Sequence, residues 1–547
     1  MTPLAQLLAE RINSGLSRKA ITEPSRWACK YRYMGHPYPG IWSFGHHPWL
    51  QEMHDAKNEL IVGQKSAQMG FTEWALNVCF HFLDIKRMDV LYVLPNTRPD
   101  AADFSSGRFD KALELSAHLR DMFSDVQNVG HKRAGPTNLY IRGSNARSGL
   151  KSIPVGLLVL DELDEMLQEN IPLATERLMG QLERFQLMLS TPTIPDFGIN
   201  FYYNDTTQEH FFFPCPSCSR RIQLKFPESV VITAESTTDE ALAQTKLICY
   251  ECKAVLPHED KIKYLNKGKW VAEHPTRLSR GFHVNQLYSM NLHPSVVARA
   301  YLNGLRDPSA EQEFHNSKLG MPHIVAGARI TEPMINQCIG TYRKLDFNRA
   351  GLVTMGVDVG RILHVEVDAW RNTDQSSGYD LNTYARPQVL THLEVDNFED
   401  LDKLMFDMNV HFCVIDSQPE HRKALEFANR FPGRVKLCRY PMGQNGRNIT
   451  IASEQESTIN VDRTSWLDLS LGRFKNGTIT LPMDTSIEYK QHIMAQVRIP
   501  KKDANGNPVA RYETPGNRHD HFGHARNYAE IALQFALGLG ISTDIRS

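Results

Sequence analysis

The sequence predicts an α/β protein of two parallel-sheet domains, with a cysteine-bearing module set into the first. Three observations carry this. The chain has 547 residues, more than one hydrophobic core normally serves, so two or three domains are expected. Four short, nearly continuous apolar runs, "NELIVG" (58–63), "DVLYVLP" (89–95), "VGLLVLDE" (155–162) and "FQLMLSTP" (185–192), read as strands buried on both faces. A second set, "LVTMGVDVGRILHVEVDAW", "QVLTHLEV" and "VHFCVIDS", is closed by the helical "HARNYAEIALQFALGL" and reads as another α/β unit.

At the N-terminus, "MTPLAQLLAERINSGLSRKA" repeats Leu4, Leu7, Leu8 and Ile12 at helical spacing. Glu10 and Arg11 interrupt any signal-peptide core, so this is an amphipathic helix, packed on the domain or offered to a partner. No uncharged apolar run is long enough to span a bilayer. Nine cysteines, four of them in two CxxC pairs, suit a reducing compartment, and the expected location is the cytoplasm. Lys and Arg number 61 against 62 Asp and Glu, a net charge of −1, so any basic surface must be local. Between Glu420 and Arg447 seven Arg and Lys face two acids, which reads equally as a solvated helix and loop or as a DNA-facing surface.

The stretch "VGQKSAQMGFTEWALN" (62–77) holds the parts of a phosphate-binding loop: a strand ending at Val62, a turn from Gly63 to Gly70, a helix beginning at "TEWALN", a lysine and a hydroxyl. Lys65 stands before the second glycine instead of after it, although its long stem can reach phosphate from either side. An ordinary strand–turn–helix is the plain alternative. The strand "GLLVLDELDEM" then delivers Asp161 and Glu162, one carboxylate for Mg²⁺ and one to activate water. An acidic helix cap is the plain alternative there, but the two half-motifs in this order support one another.

Together with "SRWACKYRYM", "PGIWSFGHHPWLQEMHDA", "STPT" and "FFFPCPSC", these motifs resemble the large terminase subunit of tailed bacteriophages, in its lambda-like branch. The displaced lysine is that family's own form of the phosphate loop. The resemblance implies ATP held by Lys65, Ser66, Gln68, Gly70, Phe71 and Thr72, with Asp161 supporting Mg²⁺ and Glu162 as catalytic carboxylate. It implies a coupling role for Ser190 and Thr191 and a trans-acting arginine, for which Arg98, Arg108, Arg142 and Arg147 are candidates. It also implies double-stranded DNA, a small terminase subunit, a portal and procapsid, and a second copy of the chain as partners, in the bacterial host cytoplasm.

Cys215 and Cys218 form one CxxC and Cys249 and Cys252 another. Four thiolates at this separation can close a structural Zn²⁺ site of the ribbon type; reduced surface thiols are the alternative. In the last third, "MGVDVG" puts Asp358 at a strand end, "CVIDSQPE" puts Asp416 at another, and "RHDHFGHARNYAEIAL" puts Asp520 at the mouth of a helix. Singly these are cap or turn residues; gathered at one sheet edge they can hold two Mg²⁺ or Mn²⁺ for phosphodiester hydrolysis. The pattern resembles the ribonuclease H-like nuclease of large terminases, except that His524 stands where a second Asp is common, which leaves His521 and His524 open as ligands or solvent-facing groups. "RIPKKDANGNPVARYETPGN" resembles a hairpin with an Asn-Gly turn, whose Lys501, Lys502 and Arg511 face DNA backbone or solvent.

The expected organisation is a helical segment (1–40), a P-loop NTPase-type ATPase domain (41–330) with a zinc-ribbon-like insertion (206–277), a linker (331–346) and a ribonuclease H-like nuclease domain (347–547). ATP-driven packaging of viral DNA and metal-dependent cutting of concatemers follow from the resemblance. A DNA-bound adaptor without hydrolysis and a helicase-like translocase with an inert C-terminal domain are the rival readings, and the presence of Lys65, Asp161, Glu162, Asp358 and Asp416 weighs against the adaptor.

Overall fold

The computed structural model describes residues 21–123, 127–346, 351–373, 384–441, 446–452, 457–502, 508–516 and 518–538. The expected N-terminal helix lies outside them. Two compact units divide the chain, Met1–Val325 and Ala326–Ser547. Among the described residues no helix is long and apolar enough to cross a membrane.

The strands of the first unit are β1 (Leu60–Lys65), β2 (Val90–Leu94), β3 (His131–Ala134), β4 (Thr137–Gly143), β5 (Leu157–Asp161), β6 (Phe185–Ser190), β7 (Glu209–Pro214), β8 (Lys269–Ala272) and β9 (Arg280–Val284). They join one sheet in the order β7-β9-β1-β6-β5-β2-β4-β3, with β8 paired to β7. From β7 to β4 every neighbour is parallel, while β3 and β8 pair antiparallel, and two further two-residue strands, Gln127–Asn128 beyond β3 and Arg221–Ile222 on β7, complete the eleven-stranded sheet. The alternation of side chains explains the continuous apolar runs. Val90, Tyr92 and Leu94 enter a core with Trp74 and Phe80, while Leu91 and Val93 enter another with Ile171 and Ile199.

The stem of the cysteine module, β7, buries Glu209, Phe211 and Phe213 on alternate positions and extends the main sheet. One expectation changes here: residues 331–346 are not a bare linker. Ile330, Ile335 and Cys338 share a core with Leu467, Phe474 and Leu481, and Gly340 N–H donates to the Leu481 carbonyl at 2.8 Å.

The second unit has β10 (Leu352–Val359), β11 (Leu363–Arg371), β12 (Arg386–Val395), β13 (Phe412–Asp416), β14 (Val435–Arg439), β15 (Thr450–Ile451) and β16 (Thr458–Asn460), ordered β12-β11-β10-β13-β14-β16-β15. The first three are antiparallel; β10, β13, β14 and β16 run parallel. Odd-numbered residues of β10 enter the core beneath the helices Phe398–Asp407 and His421–Arg430. Even-numbered ones meet helix α1 (His521–Ala536). At Gly356 the two backbones touch, since a Cβ there would lie 2.0 Å from the Ala525 carbonyl oxygen. The hairpin expected near the C-terminus forms between Val497–Lys502 and Pro508–Glu513, its Asn-Gly turn lying outside the described residues.

A buried ion network fixes α1. Arg526 bonds Glu366 and Glu530 at 2.6 Å each and also Asp368; Arg473 donates to Glu530 at 2.7 Å; Tyr489 donates to Glu366 at 2.7 Å. Burial pushes the Asp368 carboxyl far above its usual range, against the pull of Arg526. Two guanidiniums, of Arg473 and Arg526, thus face the three carboxyl groups of Glu366, Asp368 and Glu530. Removing one partner of such a buried pair typically costs about 3–5 kcal/mol. Arg526→Ala is therefore expected to lower the stability of the second unit by that order, read from a denaturant midpoint.

In the first unit His54 is buried as a neutral ring. Its Nδ1 donates to the Leu50 carbonyl at 2.7 Å and its Nε2 accepts from Asn77 at 3.2 Å. Burial pushes both His54 and His283 down to about 4. An unfolded chain takes these protons near pH 6.5, so the stability they contribute is complete above that value and is lost as pH falls towards about 4. The urea midpoint of this unit is expected to fall from about pH 7 to about pH 5, and His54→Gln to shrink that fall.

Candidate functional sites

The carboxyl edge of the first sheet gathers one site. β1 runs further than its sequence implies, because pairing with β9 (Lys65 opposite Val284) keeps it extended, so Lys65 ends the strand and the turn shortens to Ser66–Gly70. Ser66 N–H donates to the Val284 carbonyl at 3.1 Å and Ala67 N–H to the Ser317 carbonyl at 2.9 Å. Gly70 has φ +84°, and a Cβ there would meet Leu50 at 2.9 Å. The helix Phe71–His81 starts at the next residue, so N–H groups of Phe71 and Thr72, without intrahelical partners, stand at its positive end. Gln68, at φ +61°, helps turn the loop, and Ser66 Oγ is buried without a partner.

Lys65 Nζ lies 3.0 Å from Glu162 Oε1. Burial opposes the lysine's charge, but Glu162 and Asp161 outweigh it and hold its pKa up. Tyr92 Oη donates to Asp161 Oδ2 at 2.7 Å. Burial, then Glu162, push Asp161 up to about 6, against Lys65 and the Tyr92 and Thr72 hydroxyls. Glu162 follows with φ +60°, a conformation rare for a side-chain-bearing residue, and its side chain is partly open to solvent.

Asp164 was not singled out by the sequence, although its place in "LDELDEM" made it visible. It is buried and accepts from Thr193 N–H and Oγ1 at 2.8 Å each and from Ile199 N–H at 2.7 Å. Its own N–H donates to Ser190 Oγ at 3.1 Å, and Ser190 donates to the Thr191 carbonyl. The end of β5 is thus tied to the segment after β6. Of the four arginines, Arg142 donates to the Gly130 and Ile141 carbonyls and Arg108 to Glu73 at 3.2 Å; Arg98 and Arg147 are exposed.

The cysteine pairs converge. Cys215 and Cys252 lie 3.9 Å apart and Cys218 and Cys249 4.0 Å, with all four sulfurs within 4.8 Å of one another. Zn–S bonds of about 2.3 Å place tetrahedral sulfurs about 3.8 Å apart, so the set fits Zn²⁺. Each pair lies on a similar turn: Ser219 N–H donates to the Cys215 carbonyl and Lys253 N–H to that of Cys249, with φ +61° at both Ser219 and Lys253.

In the second unit, even-numbered positions of β10 and β13 bring Asp358 and Asp416 to the mouth of α1. Burial pushes Asp416 up to about 6, Asp358 adding to it. His521 Nδ1 donates to Asp358 Oδ2 at 2.9 Å, a bond that raises the His521 pKa. Asp520, the third expected ligand, has one carboxylate oxygen engaged within the protein. Its Oδ2 accepts from Thr514 at 2.7 Å and Gln496 at 3.0 Å, with His524 at 3.4 Å. Among the described residues Asp358, His364 and His521 each bring a donor atom within 4.8 Å of the others, and Asp416 is near enough for the Asp358 charge to act on it. His364 was missed, although "LHVEVDA" shows its polar side chain alternating with apolar ones.

Two family models match the chain: phage terminase large subunit gpA, ATPase domain, over residues 37–270, and terminase large subunit gpA, endonuclease domain, over residues 279–543. The chain belongs to the phage terminase large-subunit gpA family. This is consistent with the lambda-like branch, and the terminase combines an ATPase and an endonuclease of DNA packaging. The endonuclease match begins at β9, inside the first compact unit. The chain is similar to the HK97 bacteriophage large terminase (11% identity, 93% of this chain and 99% of that one, TM-score 0.47) and to the large terminase ATPase domain of a Thermus phage (14%, 50% and 92%, 0.30). It is also similar to the large terminase nuclease of thermophilic phage G20c (14%, 36% and 94%, 0.23). No curated protein matches.

Cys215→Ser in this terminase is expected to lower bound zinc and to increase proteolysis within residues 206–277; unchanged metal content would remove the site.

Proposed function

We propose that Lys65, Ser66, Gln68, Gly70, Phe71, Thr72 and Asp161 bind Mg-ATP and that Glu162 is the catalytic carboxylate. The carrying observation is the Lys65–Glu162 contact of 3.0 Å beside a desolvated Asp161. Phosphate entering beside Lys65 competes for its ammonium and frees Glu162 to orient an attacking water. Thr72 and Asp161 stand together to hold the cation, and the helix mouth supplies N–H groups to phosphate oxygens. Ser190 and Thr191, bonded through Asp164 to the end of β5, relay the nucleotide state to DNA grip. An exposed Arg98 or Arg147 serves as the trans-acting cation in a neighbouring copy.

Asp358 and Asp416 hold Mg²⁺ or Mn²⁺ for strand cutting, with His521 as the third donor and Asp520 orienting the start of α1. In both sites a bound divalent cation neutralises phosphate oxygens and activates water. Four cysteines hold structural Zn²⁺. The chain translocates double-stranded DNA through backbone contacts into a procapsid at the portal, as an oligomer in the host cytoplasm, with a small terminase subunit choosing the site. Arg511 pairs with Glu513 at 2.6 Å, and in the basic stretch Arg422 pairs with Glu426 at 3.1 Å and Arg430 with Asp402 at 2.9 Å, so part of their charge is already balanced within the protein, while a guanidinium carries further N–H groups for phosphate.

Two variants test the assignment crosswise. Glu162→Gln is expected to cut ATP turnover by about 10²–10⁴-fold while nucleotide still binds. Asp358→Asn is expected to abolish plasmid cleavage with Mn²⁺ or Mg²⁺ and spare ATP turnover. Normal turnover in the first, or retained cutting in the second, refutes the corresponding role.

A further inference from the structure

The helix Pro308–Glu313 runs into a more widely wound segment, Phe314–Leu319, within the first unit. Wider turns of this kind are frequent at functional sites. Glu311 and His315 are four residues apart, one helical turn, and so share a face. The chain then reverses and returns His323 to that face. His323 Nε2 lies 2.9 Å from Glu311 Oε1, and the rings of His315 and His323 stack with centroids 3.9 Å apart at 16°. One donor atom from each residue falls within a group 4.8 Å across, and all three side chains are partly open to solvent.

We infer that Glu311, His315 and His323 form a thiol-free site for a divalent transition-metal ion of the zinc class. Two imidazoles and one carboxylate favour Zn²⁺ or Co²⁺ over Mg²⁺, which prefers oxygen alone. Bonds of about 2.0–2.1 Å place tetrahedral donors about 3.3 Å apart, so the stacked His315 and His323 rings must tilt open for their donor nitrogens to face one ion with Glu311. Three protein donors leave the fourth position to water, on the solvent side.

The backbone is already held for the purpose. Gln312 and Asn316 donate to the Thr193 carbonyl at 3.0 and 2.7 Å, and His323 N–H to the same oxygen at 3.0 Å. The Ser317 carbonyl takes Ala67 N–H of the phosphate loop. An ion here clasps the segment joining that loop to the Thr193 turn. This site shares no residue with the phosphate-loop, strand-cutting or cysteine sites.

The test is zinc content of the full chain after chelator stripping, reloading with Zn²⁺ and desalting. His323→Ala and His315→Ala are each expected to bind one zinc fewer than wild type, whatever the cysteines hold, while Cys215→Ser keeps the histidine-bound ion. Equal zinc in wild type and both histidine variants overturns the site. Should those variants misfold, diethyl pyrocarbonate labelling of the wild-type chain decides. Zn²⁺ is expected to protect His315 and His323 several-fold while leaving the exposed His36 labelled; unchanged labelling of the pair overturns the site.

Discussion

Carboxylates withdrawn from water at the ends of parallel strands are the constraint on which both units turn. Asp161 and Asp416 each close a strand, and burial raises both to about 6. A carboxylate kept charged in so poor a solvent needs a cation close by. In the first unit Lys65 supplies part of that charge from the strand two places away, through β6. In the second, His521 meets Asp358 from above the sheet. Each arrangement leaves a negative surplus that a divalent ion can complete.

Holding such groups in place takes rigid surroundings. In the first unit Gly70 lets the loop pass Leu50, and Asp164 ties the end of β5 to the Thr193–Ile199 turn. In the second, Gly356 admits α1 into backbone contact with β10, and Arg526 locks it through Glu366 and Asp368. Shifting α1 by one turn would strand those charges without partners, so the network sets the register that brings His521 to Asp358.

Much of this was legible in the sequence because its parts are contiguous. β1, Gly70 and Thr72 lie within one short stretch, β5 ends visibly in Asp161-Glu162, and a CxxC announces its own geometry. What was hidden depends on distant pairing. Lys65 belongs to a strand only because β9 lies beside β1. Asp164 finds Thr193 and Ile199 only once β5 and β6 are neighbours. Asp520 is visible from its place before α1, but the bonds that Gln496 and Thr514 make to its Oδ2 depend on segments arriving from elsewhere. Residues 331–346 looked unstructured because Ile330, Ile335 and Cys338 are too few to show a period.

The stem of the cysteine turn has a place in the main sheet that gives it reach. Cys215 directly follows β7, β7 lies beside β9, and β9 is the strand that holds Lys65 extended. Were the four sulfurs to hold the proposed zinc, losing it would free one end of a strand whose other end, at Glu209 and His210, is paired into the sheet beside β9, so the loosening would be felt first at the turn and last at the sheet.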